Sequence, residues 1–143
     1  MKMNSNKKML SVILVVALIA ALALSGCGGE TAEKPEAITI SGGEILGQGS
    51  ASFTITVVDR DGKEITATVN TDKETVGEAL MEFGLIDGEQ GPYGLYVMTV
   101  NGQTVTWEED GMFWAFYIDG ESALTGVDMT DVVSGASYMF RVE

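Results

Sequence analysis

The chain has 143 residues, 8 basic and 21 acidic, for a net charge of −13, with no histidine and a single cysteine. A surface this acidic repels nucleic acid and anionic lipid head groups. The absence of histidine removes the usual general base near neutral pH, and one cysteine alone excludes an intramolecular disulfide.

Lys2, Lys7 and Lys8 open the chain, and residues 9–24 are apolar except for Ser11. A positive start followed by a 16-residue apolar run has the make-up of a secretory signal peptide and is short for a stable membrane span. Leu24-Ser25-Gly26-Cys27 closes the run, and this order resembles the lipobox of bacterial lipoproteins. The resemblance implies cleavage after residue 26, acylation of Cys27 and attachment to the outer face of the cell membrane; two or more acyl chains give firm anchoring. An ordinary secretory signal with an incidental cysteine, or an uncleaved anchor helix, is the alternative reading. With the signal removed, 5 basic residues face the same 21 acids, a net charge of −16. A body so charged projects away from the membrane.

Residues 28–50 are rich in Gly, Glu and Ser, the composition of a flexible tether of roughly 25–30 Å. Ile38, Ile40, Ile45 and Leu46 are unusual in such a segment and leave room for a short edge strand. Residues 51–143 are then one small domain. Phe53, Ile55 and Val57 alternate with Thr54, Thr56 and Val58, an Asp61-Gly62 turn follows, and Ile65, Ala67 and Val69 alternate again, which predicts a hairpin. Thr75 and Glu78 form a capping box ahead of a short helix with a Val76, Leu80, Phe83 stripe and Gly84 as its stop. Residues 87–94 are expected as a loop. A strand over 95–100, the Asn101-Gly102 hairpin turn, a returning strand over 104–107, a loop, a strand over 113–118 and a last strand over 137–142 complete the chain. Hairpin, helix, hairpin and strands in this order predict an α+β fold, a small antiparallel or mixed sheet packed against one short helix, of which the β-grasp is the simplest case.

Tyr96, Asn101 and Gly102, then Trp114, Tyr117, Asp119 and Gly120, then Gly126, Val127 and Gly135 together resemble a β-grasp domain common in bacterial surface lipoproteins, itself similar to the carboxy-terminal domain of transcobalamin and intrinsic factor. Asp119 stands where the bacterial pattern more often has Asn, and the helical-barrel half of the animal carriers has no counterpart. The resemblance implies a binding domain and makes cobalamin or a related corrinoid the implied ligand, captured for uptake, with no resident cofactor.

The residues themselves point away from catalysis. The only thiol is the expected anchor, and Glu108, Glu109 and Asp110 are adjacent in sequence without a rigid floor to separate them as paired acids. Asp59 to Glu64 starts like a calcium loop but lacks the later ligands and the closing glutamate, so no metal site is expected there; whether Asp87, Glu89 and the 108–110 acids meet around calcium stays open. Binding has more support. Tyr93, Tyr96, Trp107, Met112 and Tyr117 are candidate ligand-binding residues, crowded into one part of a chain that is only 8% aromatic. On the strand over 113–118, Trp114, Phe116 and Ile118 are expected to face the core and Phe113, Ala115 and Tyr117 the other side. A partly exposed aromatic surface suits a planar small molecule, and it equally suits a protein or glycan partner, the alternative reading.

Overall fold

The computed structural model describes residues 34–143. Cys27 and the expected signal peptide lie outside the described residues. Among those described, no helix is long and apolar enough to cross a membrane.

The packed chain begins upstream of Ala51. Ile38 donates its N–H to the Phe83 carbonyl at 3.1 Å, Ile40 is buried, and β1 (Ile45–Leu46) forms an edge strand. Residues 38–50, expected within the flexible tether, are therefore part of the fold: Ile40 and Leu46 pack against the core, while Ile45 pairs through its backbone and leaves its side chain in water. β2 (Ala51–Val58) and β3 (Glu64–Thr71) make the predicted hairpin, and β1 runs parallel to β3 on its outer side. Threonine, valine and isoleucine dominate both strands, as a pleated half-buried surface favours. At the turn, the Asp59 carboxylate accepts the N–H groups of Asp61 and Lys63, each at 2.9 Å. Asp59, the acid that opens the calcium-like sequence, is used to close a hairpin.

α1 (Val76–Glu82) starts at the expected capping box, with the Glu78 N–H donating to Thr75 Oγ1 at 3.2 Å and the Thr75 N–H to Glu78 Oε2 at 3.4 Å. Val76, Ala79 and Leu80 are buried, and Phe83, the C-cap, is half-buried and packs against the same core, so the predicted stripe meets the core along its length. Gly84 adopts φ 62° and donates to the Met81 carbonyl while Leu85 donates to the Leu80 carbonyl, a Schellman stop that turns the chain sharply.

β4 (Ile86–Gly91) pairs antiparallel with β5 (Gly94–Val100) across most of the segment expected as a loop. Its sequence hid it because it lacks alternating apolar residues and carries a bulge between Asp87 and Gly88. Gly88 sits so close to the partner strand that a Cβ would fall 2.0 Å from the Tyr96 carbonyl oxygen. The Asn101-Gly102 turn has positive φ at both residues, as predicted, but the returning strand β6 is only Gln103–Thr104. Trp107 is on no strand: it opens a single helical turn, α2 (Trp107–Asp110), ended by Gly111 in the left-handed region.

β7 (Trp114–Ile118), β8 (Glu121–Ser122), a one-turn 3-10 helix (Val127–Met129) that packs against α1, and β9 (Ser137–Val142) finish the chain. β9 lies parallel to β2 and antiparallel to β7, which places the last strand in the middle of a six-stranded sheet, β1-β3-β2-β9-β7-β8. β4, β5 and β6 form a second sheet. The expected small α+β domain with mixed strand pairing is what forms. On the core face of the large sheet, Tyr138 packs edge-on against Phe53 at 5.1 Å and stacks with Phe116 at 6.1 Å, and Phe116 stacks on Phe140 at 5.0 Å. The Tyr138 hydroxyl donates to the Asp131 carbonyl and accepts the Val133 N–H, so one core residue also holds the preceding loop.

Candidate functional site

Tyr96 and Trp107 adjoin. On β5 the side chains alternate, so burying Val97 turns Tyr96 outward, and the Trp107 backbone N–H lies 3.5 Å from the Tyr96 hydroxyl. Trp107 is 62% exposed although it occupies a braced position. Behind it, the Asp110 carboxylate accepts the Thr106 N–H at 3.0 Å and pairs with the Arg60 guanidinium at 3.2 Å. Arg60 also donates to the Thr104 carbonyl and comes from the β2–β3 turn, so the helical turn carrying Trp107 is tied to the large sheet. The Thr106 N–H first, and Arg60 after it, hold the Asp110 carboxyl below the usual aspartate range.

The other candidate residues have different settings. Tyr93 stands at the tip of the β4–β5 hairpin and is almost wholly exposed. Met112 and Phe113 follow α2 with their side chains partly in water, and Phe113 exchanges two backbone hydrogen bonds with Glu143. Tyr117 faces away from the core, as predicted, but it is engaged there: its hydroxyl donates to the Glu143 carboxylate, and the Arg141 guanidinium lies 5.8 Å over its ring. The Glu143 carboxylate pushes the Tyr117 hydroxyl above its ordinary pKa. The contacts thus join Tyr96 to Trp107, with Tyr93 further along the same hairpin, and bind Tyr117 to charges of its own sheet. Trp114 is buried, and Phe116 and Ile118 pack against the core, as expected.

Two of the acids considered for calcium have partners of their own. Asp87 pairs with Lys34 and Asp110 with Arg60, and among the described residues no three acids, cysteines or histidines converge to hold a metal ion. Sequence reasoning missed two features that depend on the leading segment. The Asn101 side chain does more than permit a turn: its Oδ1 accepts the Ile40 N–H at 2.7 Å and its amide donates to the Ile40 carbonyl at 3.1 Å. The segment also walls a cleft of about 250 Å³ against α1 and β4. The four aliphatic residues at 38, 40, 45 and 46 were the one available signal for both.

No family model matches the sequence, and no curated protein does. Among solved structures, haptocorrin in complex with Cbi is 18% identical with a TM-score of 0.49, and the match covers 68% of this chain but only 26% of haptocorrin. A "putative metal binding protein" from Ruminococcus gnavus, solved at 1.30 Å, is 31% identical with a TM-score of 0.62, over 66% of this chain and 97% of its own. The chain therefore belongs to the same family as the Ruminococcus gnavus protein.

Proposed function

We propose that the protein is a lipid-anchored, non-enzymatic binding protein of the cell surface, whose domain presents Tyr96 and Trp107 to a flat small molecule. A corrinoid is the ligand that the transcobalamin-like sequence pattern implies. The observation that carries this reading is Trp107: a large ring left mostly in water on a helical turn braced by Asp110 and Arg60. With the backbone beneath the ring already held, less of the chain has to be ordered when a ligand stacks on the ring, which favours affinity. The β-grasp assignment is supported by the strand order, in which the last strand runs parallel to the first long strand and separates the first hairpin from β7. The non-enzymatic reading is supported by the lack of histidine and by a lone cysteine in the lipobox.

The test is titration of the full chain, in detergent, with cyanocobalamin. Tryptophan emission, corrected for ligand absorption, is expected to fall with micromolar or weaker affinity. Trp107→Ala is expected to remove that response, whereas no change in emission up to millimolar cyanocobalamin sinks the corrinoid reading. The anchor is tested separately: Cys27→Ser should leave the precursor unprocessed or release the protein into the medium, and an unmodified Cys27 in membrane fractions, seen by mass spectrometry, overturns it. The relative's name also raises a metal ligand. Because the acids among the described residues do not converge in a group of three, we expect no change in melting temperature on adding calcium.

A further inference from the structure

The cleft beside the leading segment lies apart from Tyr96 and Trp107, neither of which lines it. Its walls are apolar: Pro35 and Ala37 from the leading segment, Met81 at the end of α1, and Ile86 at the start of β4. Asp87 is the one acid on its lining among the described residues, and the Lys34 ammonium rests on the Asp87 carboxylate. At about 250 Å³ the cleft is smaller than the pockets of roughly 300–1,000 Å³ that take drug-sized ligands, so an occupant has few heavy atoms.

From this we infer that the cleft is a binding site for a small aliphatic primary amine, and that Lys34 occupies its charge subsite when the ligand is absent. The argument is one of chemical likeness. A lysine side chain is a four-carbon stem ending in ammonium, with an apolar body and a charged tip, and here such a group already sits on Asp87 beside an apolar wall. Lys34 is held loosely: its side chain is 69% exposed and that of Asp87 50%, so the pair is a solvated ion pair that a competing ammonium displaces at small cost. Charge selects the sign of the ligand. A carboxylate would have to approach Asp87 on a chain with 21 acids and 8 bases, whereas a cation is drawn to it. The site is independent of the corrinoid reading.

The experiment uses the full chain in detergent with ¹³C-methyl methionine, because Met81 lines the cleft and reports on its occupation; Met81→Leu identifies the signal. The probe is n-butylammonium, the lysine side chain itself, with n-butanol as its neutral counterpart. Saturation of the Met81 shift is expected at millimolar concentration, in keeping with so few heavy atoms. Lys34→Ala should tighten binding about two- to fivefold by removing the resident competitor. Asp87→Asn should weaken it about two- to fivefold, the worth of an exposed ion pair. The proposal is overturned if butanol binds as well as butylammonium, if Lys34→Ala leaves the affinity unchanged, or if Met81 does not respond to the amine.

Discussion

The two tryptophans divide the molecule. Trp114 lies on the core face of the six-stranded sheet and is 6% exposed, in company with the interlocked rings of Phe53, Phe116, Tyr138 and Phe140. Trp107 belongs to the region built on the three-stranded sheet and is 62% exposed, next to a Tyr96 that also faces water. In the first region apolar area is removed from water and supplies stability. In the second, rings stay wet and the backbone is held by particular hydrogen bonds: Asn101 to Ile40, Asp110 to Thr106, Arg60 to Thr104. Aromatic content alone does not separate a core from a recognition surface; what separates them is whether the ring or the backbone beneath it is the part held in place.

The sharpest way to separate the regions is to empty the core of the first. Phe140→Ala removes a buried ring that stacks on Phe116, and is expected to cost about 3–5 kcal/mol. Set against the 5–15 kcal/mol typical of a whole domain, that should lower the urea midpoint drastically. A loss under about 1 kcal/mol would mean that the stacked rings do not carry the stability assigned to them.

A smaller effect is expected where the leading segment meets the second region. Asn101→Ala removes both hydrogen bonds to Ile40 and places a residue with a Cβ but no compensating side-chain bonds at φ 50°, for an expected loss of about 1–3 kcal/mol. The loss should be local. Hydrogen exchange at the Ile40 and Ile38 amides is expected to accelerate far more than exchange within β2 and β9, and uniform acceleration across all four would show that the two regions open as one unit.

Trp107→Ala should then barely touch stability, within about 0.5 kcal/mol, because the ring it deletes is mostly in water. If urea unfolding instead shows a loss comparable with that of Phe140→Ala, Trp107 is a core residue, and the distinction between the regions fails with the proposed platform.

This same division governs how much could be seen in the sequence. The β2–β3 hairpin, the Thr75 and Glu78 capping box, the Asn101-Gly102 turn and the inward set Trp114, Phe116 and Ile118 were legible because each rests on local spacing that the tertiary structure leaves intact. β4 was not, since its strand character comes from pairing with β5 and not from its own alternation. The docked segment over 38–50 was misjudged for a related reason: its polar composition dominates, while a few aliphatic residues and a partner 61 positions away decide its conformation. Of the five candidate binding residues, exposure of Tyr93, Tyr96, Trp107 and Met112 could be anticipated. The capture of Tyr117 by Glu143 and Arg141 could not, because it depends on β9 returning beside β7.

Acid should produce the smallest change, and it bears on the brace beneath Trp107. Asp110 has its pKa lowered by the Thr106 N–H and by Arg60, so the folded state holds its proton more weakly than the unfolded chain, whose aspartates titrate near about 3.9. The resulting stabilisation is fully present above that unfolded value and is lost as pH falls through the lower folded value. Protonation removes the anion that Thr106 and Arg60 face, and the turn carrying Trp107 loosens while the rings around Trp114 do not. With 5-fluorotryptophan incorporated, the Trp107 resonance is expected to shift or broaden below the ordinary aspartate range while the Trp114 resonance stays put. In Asp110→Asn, which keeps a carbonyl acceptor but no charge, the Trp107 change in that window should vanish. If it persists there, another carboxylate controls the turn: Glu44, Asp72 and Asp87 also have lowered pKa values, so each would be neutralised in its turn to find the one responsible.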